Sequence, residues 1–340
     1  MNETPTASLT EIRDLLGQFS GPDQAAANAA AAREKTLTKP RGSLGLLEGL
    51  AAWVASWQGR HPPRLERPRV AVFAGNHGVA RHGISAYPAE VTAQMVENFQ
   101  NGGAAVNQLC QTFDAELRVY EMALECPTAD FTEAPALSEE ECARAMAYGM
   151  MSVEEGVDVI CLGEMGIGNT TSAAAVSCAL FGGEPHEWTG PGTGVADNVL
   201  QRKIDVVAAG LAQHKKALGD PFEIMRCLGG HELAAIAGAV IAARIGRVPV
   251  ILDGYTATAA AAVLHKIDDA ALDHCIVGHL SAEPPHRRLL ELLGKSSLLD
   301  LDMRLGEASG AVMALGILRG AVACHNGMAS FAEAKVSEKI

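Results

Sequence analysis

The residues best suited to holding an anion lie in one stretch, Gly163-Glu164-Met165-Gly166-Ile167-Gly168-Asn169-Thr170-Thr171-Ser172. Gly166 and Gly168 let a backbone turn sharply and come close to a ligand, while Asn169, Thr170 and Thr171 carry polar side chains where a helix would begin. Unpaired N–H groups and the helix dipole favour negative charge there, so the stretch reads as a phosphate cradle. An ordinary strand-to-helix turn capped by Asn or Thr is the other reading of the same residues. There is no lysine of the Walker A type and no third glycine of a dinucleotide fingerprint.

Further chemistry-bearing residues follow the same strand-then-glycine pattern. Thr189-Gly190-Pro191-Gly192-Thr193-Gly194-Val195 precedes a helical stretch carrying Arg202 and Lys203, which suits an anionic ligand held from several sides or, alternatively, a flexible connector. Gly229 and Gly230 open another helix, and Asp253 closes a short apolar strand. His77 follows the apolar run Val70–Ala74, where it is either a ligand contact or a histidine hydrogen-bonded within a loop. Tyr87 either offers a ring to a flat ligand or sits in the core. Glu307, beside Gly306 and Ala308, is a lone carboxylate in the first turn of a long apolar helix expected to open at Asp302. It either faces a ligand or compensates the helix dipole. The loop Lys39-Pro40-Arg41 faces a phosphate or is solvated. His274, His279 and His286 with Glu283 lack the spacing of His-Glu-x-x-His, so no metal and no cofactor is expected.

These residues need strands to end near one another. Strands are expected at 70–74, 117–120, 157–162, 248–253 and 274–278, with helices between them, and the segment 125–138 is expected to be an exposed loop. Repeated strand–helix units imply an α/β fold: a mainly parallel, Rossmann-like sheet with helices on both faces. Residues 1–65 read as helical without strands, which places a boundary near residue 65. The chain has 340 residues and a net charge of −13, from 40 acidic and 27 basic side chains, a field that repels polyanions; no nucleic-acid partner is expected. Arg244 and Arg247 interrupt the apolar run that starts at Leu233, and Met1–Pro5 shows no basic, then apolar, leader. Neither membrane partner nor secretion is expected. The eight cysteines lack Cys-x-x-Cys spacing and read as reduced thiols of a cytoplasmic protein.

Taken in order, the motifs Lys-Pro-Arg-Gly-Ser-Leu-Gly (39–45), His-Gly-Val (77–79), Gly-Glu-Met-Gly-Ile-Gly-Asn-Thr-Thr (163–171), Gly-Thr-Gly-Val (192–195) with Lys203, Gly-Gly (229–230), Leu-Asp-Gly (252–254), Ser-Ala-Glu (281–283) and Met-Arg-Leu-Gly-Glu-Ala-Ser-Gly-Ala (303–311) resemble the nicotinate-nucleotide:dimethylbenzimidazole phosphoribosyltransferase family. The likeness runs from about Lys35 to His325 and departs from the family pattern at Arg41, Asn76 and Pro191.

That resemblance implies a homodimer with a catalytic α/β domain over 66–310 and a small helical domain built from 1–65 and 311–340. It implies phosphoribosyl transfer from nicotinate mononucleotide to 5,6-dimethylbenzimidazole, giving α-ribazole 5′-phosphate for the cobalamin lower ligand, with Glu307 as general base. The substrate contacts it implies are Gly166, Ile167, Gly168, Asn169, Thr170 and Lys203 at the phosphate, and Glu164 near the ribose. Tyr87, Met95 and Leu305 would line a slot for the base, and His77, Gly192, Gly194, Gly229, Gly230, Asp253 and Ser281 complete the site. Two rival expectations are an NAD-dependent oxidoreductase and a non-catalytic nucleotide- or benzimidazole-binding relative. The first wants an acid at the end of the next strand for the ribose hydroxyls, and the second needs no base at Glu307.

Overall fold

Six parallel strands form one sheet in the order β2-β1-β3-β4-β5-β6 in a computed structural model that describes residues 8–337. They are β1 Pro68–Ala74, β2 Glu116–Glu121, β3 Val159–Met165, β4 Val250–Leu252, β5 Cys275–Leu280 and β6 Ser297–Asp300. β1 is buried along its whole length and β3 up to Glu164, which is why Val70–Ala74 and Val159–Leu162 are continuous apolar runs rather than alternating ones. Parallel neighbours require crossovers, and helices such as Glu139–Met150 and His231–Ile245 supply them.

The strand order reverses at β1 and β3. From β1 the chain moves outward to β2, then returns to the other flank of β1 and continues through β4, β5 and β6. Loops leaving the two central strands must part at such a reversal, and a crevice opens beyond their C-terminal ends. Ala74 stands opposite Met165 in the register, so the chain after Gly75 and the chain after Gly166 leave the sheet side by side.

Each face of the sheet carries an apolar layer. One packs against helices Glu139–Met150, Asn169–Phe181, His231–Ile245 and Tyr255–His265. On the other, Leu50 and Val54 of helix Leu46–Gln58 share a core with Val70, Val72, Val159 and Cys161 and with Ala311, Val312 and Leu315 of the last long helix, Ser309–Gly327. Segments from the two halves of the chain also meet: Arg33 donates to the carbonyls of His325, Asn326 and Met328, and Leu37 bridges Ser330.

Four differences from the sequence expectations matter. β3 extends through Gly163, Glu164 and Met165, so Glu164 belongs to the strand rather than to the loop. β6 and the helices Pro185–Trp188, Pro221–Leu228 and Pro285–Leu292 were not expected; each is short, and the strand is a half-exposed edge without a clear apolar period. The segment 125–138 has no regular structure, yet it is not exposed throughout, because Phe131 and Leu137 are buried in the core. Finally, the last long helix begins at Ser309, not at Asp302, because Gly306, Glu307 and Ala308 all adopt left-handed backbone conformations that no α-helix accommodates.

Candidate active site

A cavity of 470 Å³ lies beyond the C-terminal ends of the central strands. Its floor is Glu164 to Thr170, the end of β3 and the turn into helix Asn169–Phe181. Gly168 caps that helix with φ +97°, a conformation only glycine adopts without strain, and Asn169 closes the turn by donating to the Gly166 carbonyl at 3.1 Å. The N–H of Ile167 is held by Thr92 Oγ1 at 3.1 Å. The helix N-terminus therefore opens into the cavity, as an anion site requires.

Lys203 completes this end. It is almost wholly buried, and its Nζ donates to Thr170 Oγ1 at 3.0 Å and to the Gly190 carbonyl at 2.9 Å, which leaves one N–H for a ligand. Burial pushes the ammonium pKa down to about 8, partly opposed by the Glu283 carboxylate. The second glycine loop forms the roof. The N–H of Gly192 donates to Glu283 Oε1 at 2.9 Å, and its carbonyl accepts from Arg304 Nη1 at 2.7 Å.

His77 braces the cradle from behind. Its Nδ1 lies 3.0 Å from Ser172 Oγ and its Nε2 lies 2.5 Å from Glu232 Oε1, with the His77 and Glu232 side chains both fully buried. Gly230 fits closely around this pair, since a Cβ there would lie 2.3 Å from His77 Cε1. His77, Gly229 and Gly230 thus stand behind the cradle and are absent from the cavity wall, contrary to the expectation of substrate contact. Gly-Gly at a helix start signals close backbone approach, and here the thing approached is the buried, hydrogen-bonded His77 and Glu232 side chains.

Three carboxyl groups, those of Glu164, Asp253 and Glu307, gather beside the end of β3. Glu164 has its pKa pushed up to about 8, first by burial and then by the charges of Asp253 and Glu232, while a hydrogen bond from the Asn169 amide acts in the other direction. Asp253 is pushed up to about 7 by burial, against the N–H groups at the start of the last long helix, including that of Ala311 at 2.9 Å. It anchors that helix and does not line the cavity. Glu307 is likewise raised to about 7, by burial. Of the two opposing influences on this group, burial and a helix N-terminus, burial prevails.

Glu307 stands in a tight turn two residues ahead of the helix. Glu307 and Ala308 have φ of +61° and +62°, and non-glycine residues in this region cost on the order of 1–3 kcal/mol each. Two contacts hold the turn: the Glu307 N–H donates to the Glu164 carbonyl at 3.1 Å, and Gly163 leaves the space into which Ala308 presses. A Cβ on Gly163 would lie 2.1 Å from the Ala308 nitrogen. Glu307 is 4 % exposed and does not itself line the cavity, whereas Leu305 and Gly306, just before it, do.

The remaining expected contacts divide. Gly166, Ile167, Gly168, Asn169, Thr170, Gly192, Ser281, Tyr87 and Leu305 line the cavity, the last two as exposed apolar side chains. Met95 does not; it packs in the apolar layer beside Phe99 and Val106, because its helix turns that face toward the sheet. Gly194 lies in the roof loop near Arg304 without reaching the cavity. Sequence reasoning missed Thr193, Thr256, Glu283 and Arg304, all on the cavity wall. Glu283 and Arg304 sit inside quoted motifs, so the signal was present; their convergence on the Gly192 peptide was not. The histidines weighed for a metal are separately engaged, His274 with the Val240 carbonyl and His286 with the Ser281 N–H.

A family model described as phosphoribosyltransferase matches residues 19–336. Proteins named nicotinate-nucleotide–dimethylbenzimidazole phosphoribosyltransferase from Sinorhizobium medicae and Rhizobium meliloti are each 57% identical to this chain, over 97% of it and 97% of their own length. One of the same name from Methylocella silvestris is 55% identical over 98% of both chains. A crystal structure of a protein of that name from Thermus thermophilus superposes with a TM-score of 0.85 at 40% identity, covering 93% of this chain and 100% of the other.

Proposed function

The chain belongs to the nicotinate-nucleotide:dimethylbenzimidazole phosphoribosyltransferase family, and from that premise we propose how its cavity carries out the transfer. The enzyme moves the phosphoribosyl group of nicotinate mononucleotide to 5,6-dimethylbenzimidazole, yielding α-ribazole 5′-phosphate and nicotinate. One nitrogen of the benzimidazole attacks the anomeric carbon from the face opposite nicotinate. The glycosidic bond breaks with its electron pair going to the pyridine nitrogen, which becomes neutral, and the second benzimidazole nitrogen gives up its proton.

Glu307 accepts that proton. Its pKa, raised to about 7 by burial, makes the carboxylate a stronger base than one in water while leaving a large ionised fraction at neutral pH. The phosphate rests on the turn Gly166–Thr170 and Lys203, Glu164 stands near the ribose, and Tyr87 and Leu305 flank the planar base. The leaving group needs no protonation, so most of the acceleration comes from holding two substrates in line. A single observation carries this assignment: Glu164 touches both halves of the site, through its carbonyl to the Glu307 N–H and through its carboxyl to the Asn169 amide of the cradle. A base and an anion site held by one residue can serve one substrate.

The proposal extends to a cytoplasmic homodimer. Free cysteines suit a reducing compartment, and apolar side chains left open at the cavity mouth, Tyr87 and Leu305, suit cover by a second copy. No helix among the described residues is long and apolar enough to cross a membrane. The test is Glu307→Gln with nicotinate release as the readout against a panel of benzimidazoles, purines and phenols. The expected loss in turnover is roughly 10²-fold or more, with binding of both substrates nearly unchanged. Unaltered turnover would remove Glu307 from the mechanism.

A further inference from the structure

We infer that Glu283 is a positioning residue: its carboxylate fixes the strap Gly190-Pro191-Gly192 against Lys203 and holds that ammonium in its charged form for the phosphate of the nucleotide. The inference rests on the phosphate placement proposed above and names the residue on which that placement depends. Glu283 acts in this through its neighbours, not on the reacting atoms.

An acid and an amine hold the strap between them. Glu283 Oε1 accepts the Gly192 N–H at 2.9 Å, and a Cβ on Gly190 would lie 2.1 Å from Glu283 Oε2. Lys203 Nζ donates to the Gly190 carbonyl at 2.9 Å, and a Cβ on Gly192 would lie 2.8 Å from that nitrogen. Each side chain therefore packs on both glycines. Glu283 is itself held in place: its N–H donates to Ser281 Oγ at 3.2 Å, its carbonyl accepts the His286 N–H at 3.0 Å, and Pro284 leads on into helix Pro285–Leu292. A carboxylate on so fixed a backbone sets where the strap lies.

The Gly192 N–H needs only an acceptor, and a neutral glutamine would supply one. The position holds instead a carboxylate that is 4 % exposed and whose Oε2 has no hydrogen-bond partner. Burying such a group is costly unless a nearby cation offsets it. Lys203, 1 % exposed, is that cation. Burial lowers the Lys203 pKa and the Glu283 charge opposes the drop. Burial likewise raises the Glu283 pKa, against the charge of Lys203, the Gly192 N–H and Arg304.

The other groups around Lys203 do not supply this charge. Thr170 is neutral, and Arg202, next to Lys203 in helix Asp197–Gln213, turns to the carbonyls of His82 and Gly83. Arg304, on the Gly192 carbonyl, adds a like charge. Tyr87, Tyr255 and His279 on the cavity wall are side chains without negative charge at neutral pH, and Glu164, with its pKa pushed up to about 8, is mostly protonated there.

The experiment compares the native enzyme with Glu283→Gln, which removes the charge and keeps an acceptor, and Glu283→Ala, which removes both. Calorimetry gives Kd for nicotinate mononucleotide between pH 6.5 and 9. Carbon-13 NMR of lysine-labelled enzyme follows the titration of Lys203, with Lys203→Arg identifying its signal. In Glu283→Gln the Lys203 midpoint should fall by about one pH unit, and nucleotide binding should weaken by about 5- to 10-fold at pH 8 to 9, a loss that shrinks toward pH 6.5. Glu283→Ala should add a loss at pH 6.5, because the strap has lost its acceptor. An unchanged Lys203 midpoint in Glu283→Gln, or the same loss in both variants at every pH, would overturn the inference. A lower midpoint with unaltered nucleotide affinity would uphold the action of Glu283 on Lys203 and overturn the placement of the phosphate there.

Discussion

Gly163→Ala is a small change at a residue outside the cavity wall, yet it should disable the enzyme. The added methyl carbon would lie 2.1 Å from the backbone nitrogen of Ala308, 2.5 Å from its Cα and 2.6 Å from its Cβ, where ordinary contacts begin near 3.4 Å. Neither side can yield cheaply. β3 is buried and paired on both flanks, and the Glu307-Ala308 turn is already in a strained left-handed conformation. Relief requires the turn to move away from the strand by roughly 1 Å, which breaks the bond between the Glu307 N–H and the Glu164 carbonyl and shifts Glu307, the proposed general base. Overpacking of this kind costs about 1–3 kcal/mol of stability, and a misplacement of about 1 Å at the reacting centre costs on the order of 10²-fold in rate. Nicotinate release gives kcat and KM, and thermal melting gives stability. A large drop in kcat, a lower Tm and a nearly native KM for the mononucleotide are expected, since the cradle starts three residues later. Native kcat and Tm would refute the claim that the turn is seated against Gly163 and that its position governs catalysis.

Lys203→Ala should raise KM for the mononucleotide more than KM for the base; the opposite pattern would move the phosphate elsewhere. The pH profile of kcat/KM should rise through about pH 7 as Glu307 loses its proton and decline above about pH 8 as Lys203 loses its own. Titration within the Glu164, Asp253 and Glu307 cluster is shared, so the rising limb reports the group of carboxyls, and a flat profile from pH 6 to 9 would contradict the assignment. Glu164 has a folded-state pKa near 8 against an ordinary value of 4.5, so the folded protein holds its proton more tightly than the unfolded chain does. Stability from this group is complete below about pH 4.5 and is lost as pH rises through about 8. Glu164→Gln should consequently raise Tm at pH 8 but not at pH 5, which thermal melts of the ligand-free enzyme at both values can check.

Much of the site was legible in the sequence because its parts are local. Gly166 to Thr170 could be read as an anion cradle, since a strand, two glycines and a helix start are consecutive in the chain, and Lys203 follows a second glycine loop. β1 and β3 were equally plain, as strands buried on both faces become apolar runs bounded by glycine. Helix starts were harder. Nothing in the order Gly306-Glu307-Ala308-Ser309 distinguishes a helical glutamate from a left-handed one, because the conformation is imposed by Gly163, more than a hundred positions away in the chain. Met95 and His77 fell outside the cavity for a related reason. Each is of a type that could touch a ligand, but the direction of its side chain is set by the packing of its own element.

Composition, periodicity and the ordered motifs by themselves determined an α/β chain of this family and a strand–glycine–helix turn of a kind that suits an anion, because those features arise from residue types and short spacings. Only the tertiary structure decided that Glu164 bonds both the Glu307 N–H and the Asn169 amide and that Gly192 lies between Lys203 and Arg304. It likewise made three carboxyls share one buried region that raises their pKa values. These are properties of strand ends brought together at a reversal in sheet order, and distance between such ends depends on which strands are neighbours, not on how far apart they are in the chain.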